Sequence, residues 1–141
     1  MDFHEQIAPF EWVDYSEFGD ESDTTVSVIL HSSEKYKHSL FTTRKKDGFR
    51  SHGDCWESLA QVFLAERFPE FQEIFEFDSE SGMFCVRSHD SDALEQFIIA
   101  FKEACEDDKL IRDIFSRAVP PKIITADDIN QMWKKLLNKD D

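Results

Sequence analysis

The first part of the chain shows the alternation of apolar and polar residues that is typical of half-buried strands. Residues 10–15 alternate apolar and acidic side chains, and residues 24–31 are rich in apolar and β-branched ones. Residues 36–43 are predicted as a third strand, joined to the second through a polar turn at residues 32–34. Since such short turns join antiparallel neighbours, these segments predict a mostly antiparallel sheet.

After residue 53 the periodicity changes to that of amphipathic helices. Asp54, with Glu57 three residues later, predicts a capping box at the start of a first helix. Residues 71–75 are predicted as a short second helix, and a turn at residues 79–82 leads into a strand at residues 83–87.

A long helix is predicted from about Asp90, because apolar residues recur at helical spacing from there to residue 105. Asp107 or Asp108 starts a further helix. Pro120 and Pro121 break the chain. The last predicted helix follows them and carries an apolar stripe of Ile129, Met132, Trp133, Leu136 and Leu137.

These elements predict an α+β fold, with a mostly antiparallel sheet packed against helices. A single compact domain is expected over residues 1–118, and residues 119–141 are expected to form a C-terminal helical extension.

Length and composition limit the class of protein. The chain has 141 residues, the size of one ordinary domain. Its longest apolar run, residues 97–101, is far shorter than the roughly 20 residues that span a bilayer. The N-terminus shows no basic segment followed by an apolar one, which predicts no signal peptide. Three cysteines form no disulfide framework, so we expect a soluble cytoplasmic domain without membrane contact.

The charge distribution is the first feature that bears on function. The formal net charge is −14, and residues 1–23 contain eight acids and no Lys or Arg. Residues 54–80 contain eight acids and one arginine, whereas residues 34–50 have a net charge of +4 and are interpreted as an internal counter-charge. A chain of this charge repels nucleic acid and attracts a basic protein partner.

We therefore predict a partner-binding surface made of acids, with Trp56 as an aromatic contact core. The residues assigned to it are Glu17, Asp20, Glu21, Asp23, Trp56, Glu57, Glu70, Glu73, Glu76 and Asp78.

Cys55 is the strongest candidate for catalysis, because a thiolate at a helix N-terminus is stabilised by the helix dipole. A nucleophilic thiol also needs a histidine base, and none of His31, His38 or His89 has a supporting sequence signature. The negative charge of Asp54 would raise the thiol pKa. We therefore predict no catalytic residue.

No cofactor or metal site is predicted either. His52 and Cys55 are the only closely spaced pair of soft ligands, and no second pair has matching spacing. The four glycines do not occur in a phosphate-binding or dinucleotide-binding spacing.

Four segments carry a resemblance to a known family: residues 9–13 (PFEWV), 56–64 (WESLAQVFL), 77–85 (FDSESGMFC) and 101–118 (FKEACEDDKLIRDIFSRA). In this order they resemble immunity protein family fifty-one of bacterial polymorphic toxin systems. The resemblance implies a small bacterial cytoplasmic protein that binds and neutralises a cognate toxin and has no catalytic residues. Residues 119–141 lie outside the family pattern, and Cys55 is not a position that the family requires.

An acidic immunity protein suits a basic toxin, for example a nuclease, whose substrate channel an acidic domain can occlude. Two alternatives remain open at this stage. One is a thiol-dependent hydrolase, which would lose its activity on Cys55→Ala. The other is a protein-binding regulator without a toxin target, which a neighbouring gene for a large secreted toxin would disfavour.

The predicted C-terminal helical extension, residues 119–141, leads to a first prediction. Its apolar stripe is too large to be left in water, so we expect it to dock on this chain or on a second copy. Truncation after Val119 should therefore lower the melting temperature while sparing toxin binding. Thermal denaturation followed by circular dichroism measures the first effect. Full solvent exposure of Trp133, seen by fluorescence in monomer and oligomer alike, would contradict the docking.

Overall fold

A four-stranded antiparallel sheet organises the fold. The computed structural model describes residues 2–121 and Lys134. The strands are β1 at Glu11–Asp14, β2 at Val26–Leu30, β3 at Glu76–Phe77 and β4 at Phe84–Ser88. Their order in the sheet is β1-β2-β4-β3, so β2 and β4 form its centre and β1 and β3 its edges.

Helices precede, connect and follow the strands. They are α1 at Phe3–Ile7, α2 at His38–Thr42, α3 at Gly53–Arg67, α4 at Ser91–Glu106 and α5 at Asp108–Phe115. The carboxylate of Asp90 accepts a hydrogen bond from the Ala93 N–H at the start of α4, and Asp107 does the same for Leu110 in α5. These caps satisfy N–H groups that have no partner within the helix.

One face of the sheet forms the floor of the core. Val28 and Leu30 of β2 and Phe84 and Val86 of β4 are completely buried there. They belong to the same apolar cluster as Trp56 of α3 and the buried side chains of α4. Burial of this face contributes roughly 25 cal/mol for each Å² of apolar surface removed from water.

The opposite face of the sheet, called here the outer face, consists of Glu11, Val13, Ser27, Ile29, Cys85, Arg87 and Glu76. These residues alternate with core-facing ones, because successive side chains of a strand point to opposite sides. Val13, Ile29 and Cys85 accordingly lie outside the core cluster. The apolar core of the domain therefore lies on one face of the sheet only.

Trp56 occupies the centre of the core and is 0% exposed. Its ring stacks on Tyr36 with centroids 5.7 Å apart and lies 5.0 Å from the ring of Phe41. Its indole N–H donates to the Ser33 carbonyl oxygen at 3.0 Å, which satisfies a polar group that would otherwise be buried without a partner.

The α+β fold is confirmed, as are the predicted strands at residues 10–15, 24–31 and 83–87 and the helices predicted from Asp90 and Asp107. The predicted strand at residues 36–43 is wrong, because α2 occupies this segment. Adjacent residues Leu40 and Phe41 are both buried. A strand on one side of a core would bury only one of them, whereas a helical turn buries both.

The capping box at Asp54 and Glu57 is also wrong. Helix α3 begins at Gly53, and the Asp54 carboxylate accepts a hydrogen bond from the Cys55 N–H at 2.9 Å. A tertiary contact sets this start, since the Gly53 N–H donates to the Ser81 carbonyl in the turn between β3 and β4.

The short helix predicted at residues 71–75 is replaced by a 3₁₀ turn at Pro69–Phe71 that leads into β3. Helix α1 and strand β3 were not predicted. The predicted C-terminal helix, with Ile129, Met132, Trp133, Leu136 and Leu137, lies outside the described residues. Within residues 2–121, no helix is long and apolar enough to cross a membrane.

The contact at Gly53 generates a second prediction. A Cβ atom at this position would lie 2.1 Å from the carbonyl oxygens of both Glu80 and Met83. Since these are backbone atoms, Gly53→Ala should cost about 3 kcal/mol of unfolding free energy. Thermal denaturation should show a fall in melting temperature on the order of 10 °C.

Gly82→Ala in the same turn is the matched control, because an added Cβ there would meet nothing within 4 Å. Its melting temperature should stay close to that of the wild type. Equal stability of the two variants would show that α3 does not depend on the close approach at Gly53.

Candidate interaction surface

The β1–β2 loop, residues 15–25, holds the first group of predicted acids. A 3₁₀ turn at Tyr15–Phe18 begins it, and the Asp14 carboxylate caps this turn by accepting from the N–H and hydroxyl of Ser16 at 3.0 and 2.7 Å. Gly19 follows with a φ of +125°, a conformation that favours glycine. The loop closes where the Tyr15 N–H donates to the Thr25 carbonyl at 3.1 Å.

Two carboxylates of this loop are held by hydrogen bonds. Asp20 accepts from the Ser22 N–H at 2.9 Å, and Asp23 accepts from the Thr25 N–H at 2.9 Å. Bonds from the hydroxyl and N–H of Ser22 hold the pKa of Asp20 below its usual value, and those from Thr25 do the same for Asp23. Both groups are therefore negatively charged at neutral pH.

The second group of acids converges on the same end of the sheet. Asp14, Val26 and Ser88 lie opposite one another at this end. Thr24 Oγ1 lies 3.0 Å from His89 Nδ1, which joins the β1–β2 loop to the segment after β4. The Ser88 hydroxyl donates to the Ile74 carbonyl at 2.8 Å, which brings in the segment before β3.

We call this region the acidic end, defined by Glu17, Asp20, Glu21, Asp23, Glu73, Glu76 and Asp90. Glu73, Glu76, His89 and Asp90 line a single concavity within it. Two stretches of acids about 50 positions apart in the sequence thus lie at the same end of the sheet.

Glu76 and Asp78 lie beside Arg87 on the outer face. The Arg87 Nη2 atom is 3.4 Å from Glu76 Oε1 and 3.1 Å from Asp78 Oδ2. Both carboxylates are largely exposed, so this contact orients them and contributes little to stability. Two acids share one cation, which leaves this part of the outer face with a negative charge.

The remaining predicted site residues lie elsewhere. Trp56 is a core residue, and its side chain does not reach the surface. Glu57 is half-buried on α3, and Glu70 lies in the 3₁₀ turn after that helix. The acidic end therefore carries the candidate surface without the aromatic contact core that the sequence suggested.

The structure supplies an aromatic residue that the sequence argument missed. Phe18 lies within the β1–β2 loop and is 74% exposed. The sequence does mark this residue, because Phe18 is the one large apolar residue among residues 16–23, which are otherwise small, polar or acidic.

Cys55 is buried at the start of α3 and accepts a hydrogen bond from the Arg50 N–H at 3.3 Å. Burial, followed by the negative charge of Asp54, raises the pKa of its thiol. His38 Nδ1 lies 2.8 Å from the Ser51 hydroxyl, so this imidazole contacts a serine. Within residues 2–121 no group of three or more metal-ligating side chains is arranged to hold a metal ion.

Two of the six cations at residues 34–50, Lys37 and Arg44, make internal contacts, whereas Lys35, Lys45, Lys46 and Arg50 are exposed. Arg44 Nη1 donates to the carbonyls of Phe115 and Ala118 at 2.6 and 2.7 Å, and its Nε bonds to Asp47. Lys37 Nζ lies 3.4 Å from a Glu106 carboxylate oxygen. These two cations link the segment to the end of α4, to the last residue of α5 and to Ala118 beyond it.

Comparison with known families gives one match. The family model described as Immunity protein 51 matches residues 17–120, most of the chain. No curated protein and no solved structure matches. The match begins within the β1–β2 loop and includes every acid of the acidic end.

The thiols generate a third prediction. Burial raises the pKa of Cys55, Cys85 and Cys105 alike. The native protein should therefore react with iodoacetamide at pH 7 at least 10-fold more slowly than the protein unfolded in guanidinium chloride. Mass spectrometry of the modified protein measures both rates. Fast modification of Cys55 alone in the native state would indicate an activated nucleophile.

Proposed function

We propose that this protein, which belongs to the immunity protein 51 family, binds a cognate toxin domain through its acidic end and thereby neutralises it. The observation that carries the proposal is the convergence of two separate acidic stretches at one end of the sheet. Inhibition in this proposal requires binding alone and no catalysis.

Electrostatic complementarity is the physical basis of the proposal. A toxin that acts on nucleic acid needs a cationic channel for the phosphate backbone. Carboxylates can occupy such a channel in place of phosphates, and the bound domain then excludes the substrate by its volume. A nuclease with a basic channel is accordingly the toxin class that we propose as partner.

The acidic end also suits rapid capture. Opposite charges steer the encounter of two proteins and raise the association rate above that of neutral surfaces. Asp20 and Asp23 are already held by Ser22 and Thr25, so the loop loses less conformational freedom on binding. An immunity protein must act before its toxin does, and a high association rate meets that need.

The fourth prediction tests the acidic end, together with Asp78 beside it on the outer face, by charge reversal. Glu73, Glu76 and Asp78 are changed together to Lys, and binding is measured by stopped flow with a toxin domain identified among the genes that neighbour this protein's gene. Association at low salt should slow by an order of magnitude or more. The difference should shrink as the Debye length falls from about 10 Å at 0.1 M salt to 3 Å at 1 M.

Two further variants make the test specific. Glu17, Glu21 and Glu73 to Lys changes the acidic end without placing lysines beside Arg87, so this variant avoids a repulsive contact that could disturb folding. Glu34, Glu95 and Glu103 to Lys changes the net charge equally at exposed positions outside the acidic end. Equal slowing by this control would contradict a localised surface, and a salt-insensitive wild-type rate would contradict steering.

A further inference from the structure

Phe18 is presented to solvent by a loop whose other residues are polar or acidic. Its side chain is 74% exposed, whereas all thirteen other phenylalanines lie in the core or pack against it. From this position we infer that Phe18 is the aromatic anchor of the toxin interface, and that it inserts into an apolar pocket of the toxin bordered by Lys or Arg side chains. The inference rests on the proposed function and adds the chemistry of the partner's surface.

The backbone around Phe18 is fixed on both sides. Asp14 caps the 3₁₀ turn that ends at Phe18, and Gly19 takes the left-handed conformation that redirects the chain. Beyond it, the Asp23 N–H donates to the Asp20 carbonyl at 3.0 Å. An aromatic ring on a pre-ordered loop binds with little loss of conformational entropy, which is a property of interface hot spots.

Tyr15 connects Phe18 to the outer face. The buried Ser27 hydroxyl donates to the Tyr15 hydroxyl oxygen at 3.1 Å, so the Tyr15 ring reaches across to β2. The centroids of the Tyr15 and Phe18 rings are 6.5 Å apart. The two rings therefore form a continuous aromatic edge between the loop and the outer face.

The surrounding charges indicate which partner fits. Glu17 precedes Phe18, and Asp20, Glu21 and Asp23 follow it within five positions. A partner that buries Phe18 must approach these carboxylates, and cationic side chains around the pocket would pair with them. A second copy of this chain would bring its own β1–β2 loop to the same contact. The carboxylates of the two loops would then repel each other, which opposes self-association at this site.

The fifth prediction tests this anchor with Phe18→Ala, using the same toxin domain as the fourth. The dissociation constant should rise about 30-fold or more, as for a hot-spot residue. The increase should appear in the dissociation rate and persist at high salt, because the lost contact is apolar. Surface plasmon resonance separates the two rates, and Phe18→Leu, which keeps an apolar side chain of similar size, should restore most of the affinity.

Val119→Ala is the matched control, since Val119 is apolar and 73% exposed but follows α5 and belongs neither to the β1–β2 loop nor to the acidic end. It should bind the toxin as the wild type does. Unchanged toxin dissociation in Phe18→Ala, with the wild type still binding, would overturn the anchor and leave the proposed function standing. A wild type that fails to bind this toxin would overturn both.

Self-association gives one more decisive outcome. If sedimentation shows a wild-type dimer that Phe18→Ala converts to a monomer, Phe18 serves a contact between copies and the toxin anchor is rejected. A monomer in both proteins agrees with the inference.

Discussion

The fold depends on the burial of one polar atom, the indole N–H of Trp56. Inside an apolar core that group needs a hydrogen-bond acceptor, and the Ser33 carbonyl supplies it. The bond ties α3 to the turn after β2, while the Trp56 ring packs against Tyr36 and Phe41. The chain after β2 is therefore held over the core, where it forms α2, and the place beside β2 in the sheet is taken by β4.

Because the apolar core lies on one face of the sheet, the acidic residues are confined to the rest of the surface. Helices α3 and α4 cover one face of the sheet, and the acids gather on the loops at its end and along its far edge. Carboxylates so close together repel one another and reduce the stability of the free protein. Hydrogen bonds to Asp20 and Asp23 and the contact of Arg87 with Glu76 and Asp78 offset part of this repulsion. A cationic partner would offset more of it, and would thereby stabilise the fold that it binds.

Much of the fold was predictable where the signal is local. The caps at Asp90 and Asp107 and the apolar periodicity behind them specify α4 and α5 without reference to the rest of the chain. Prediction failed where a distant contact decides, as at Gly53, whose place in α3 follows from the turn between β3 and β4. The sequence shows that the acids of the candidate site are abundant. That two stretches of them lie at the same end of the sheet follows only from the order of the strands. Residue type alone favours burial of both Trp56 and Phe18, so the prediction of Trp56 as a surface contact went against it, whereas the exposure of Phe18 depends on packing.

The hydrogen bonds of Arg44 limit which chain segments can be exchanged between related proteins. Its guanidinium binds the carbonyls of Phe115 and Ala118, so the chain is fastened to the body up to Ala118. A recombination point before Ala118 keeps these bonds only if the incoming segment places its backbone carbonyls at the same positions, because any residue supplies a carbonyl but only the correct chain path brings it to the half-buried guanidinium. Arg44 and residues 115–118 therefore form one unit that has to be exchanged together if the core beside them is to stay intact.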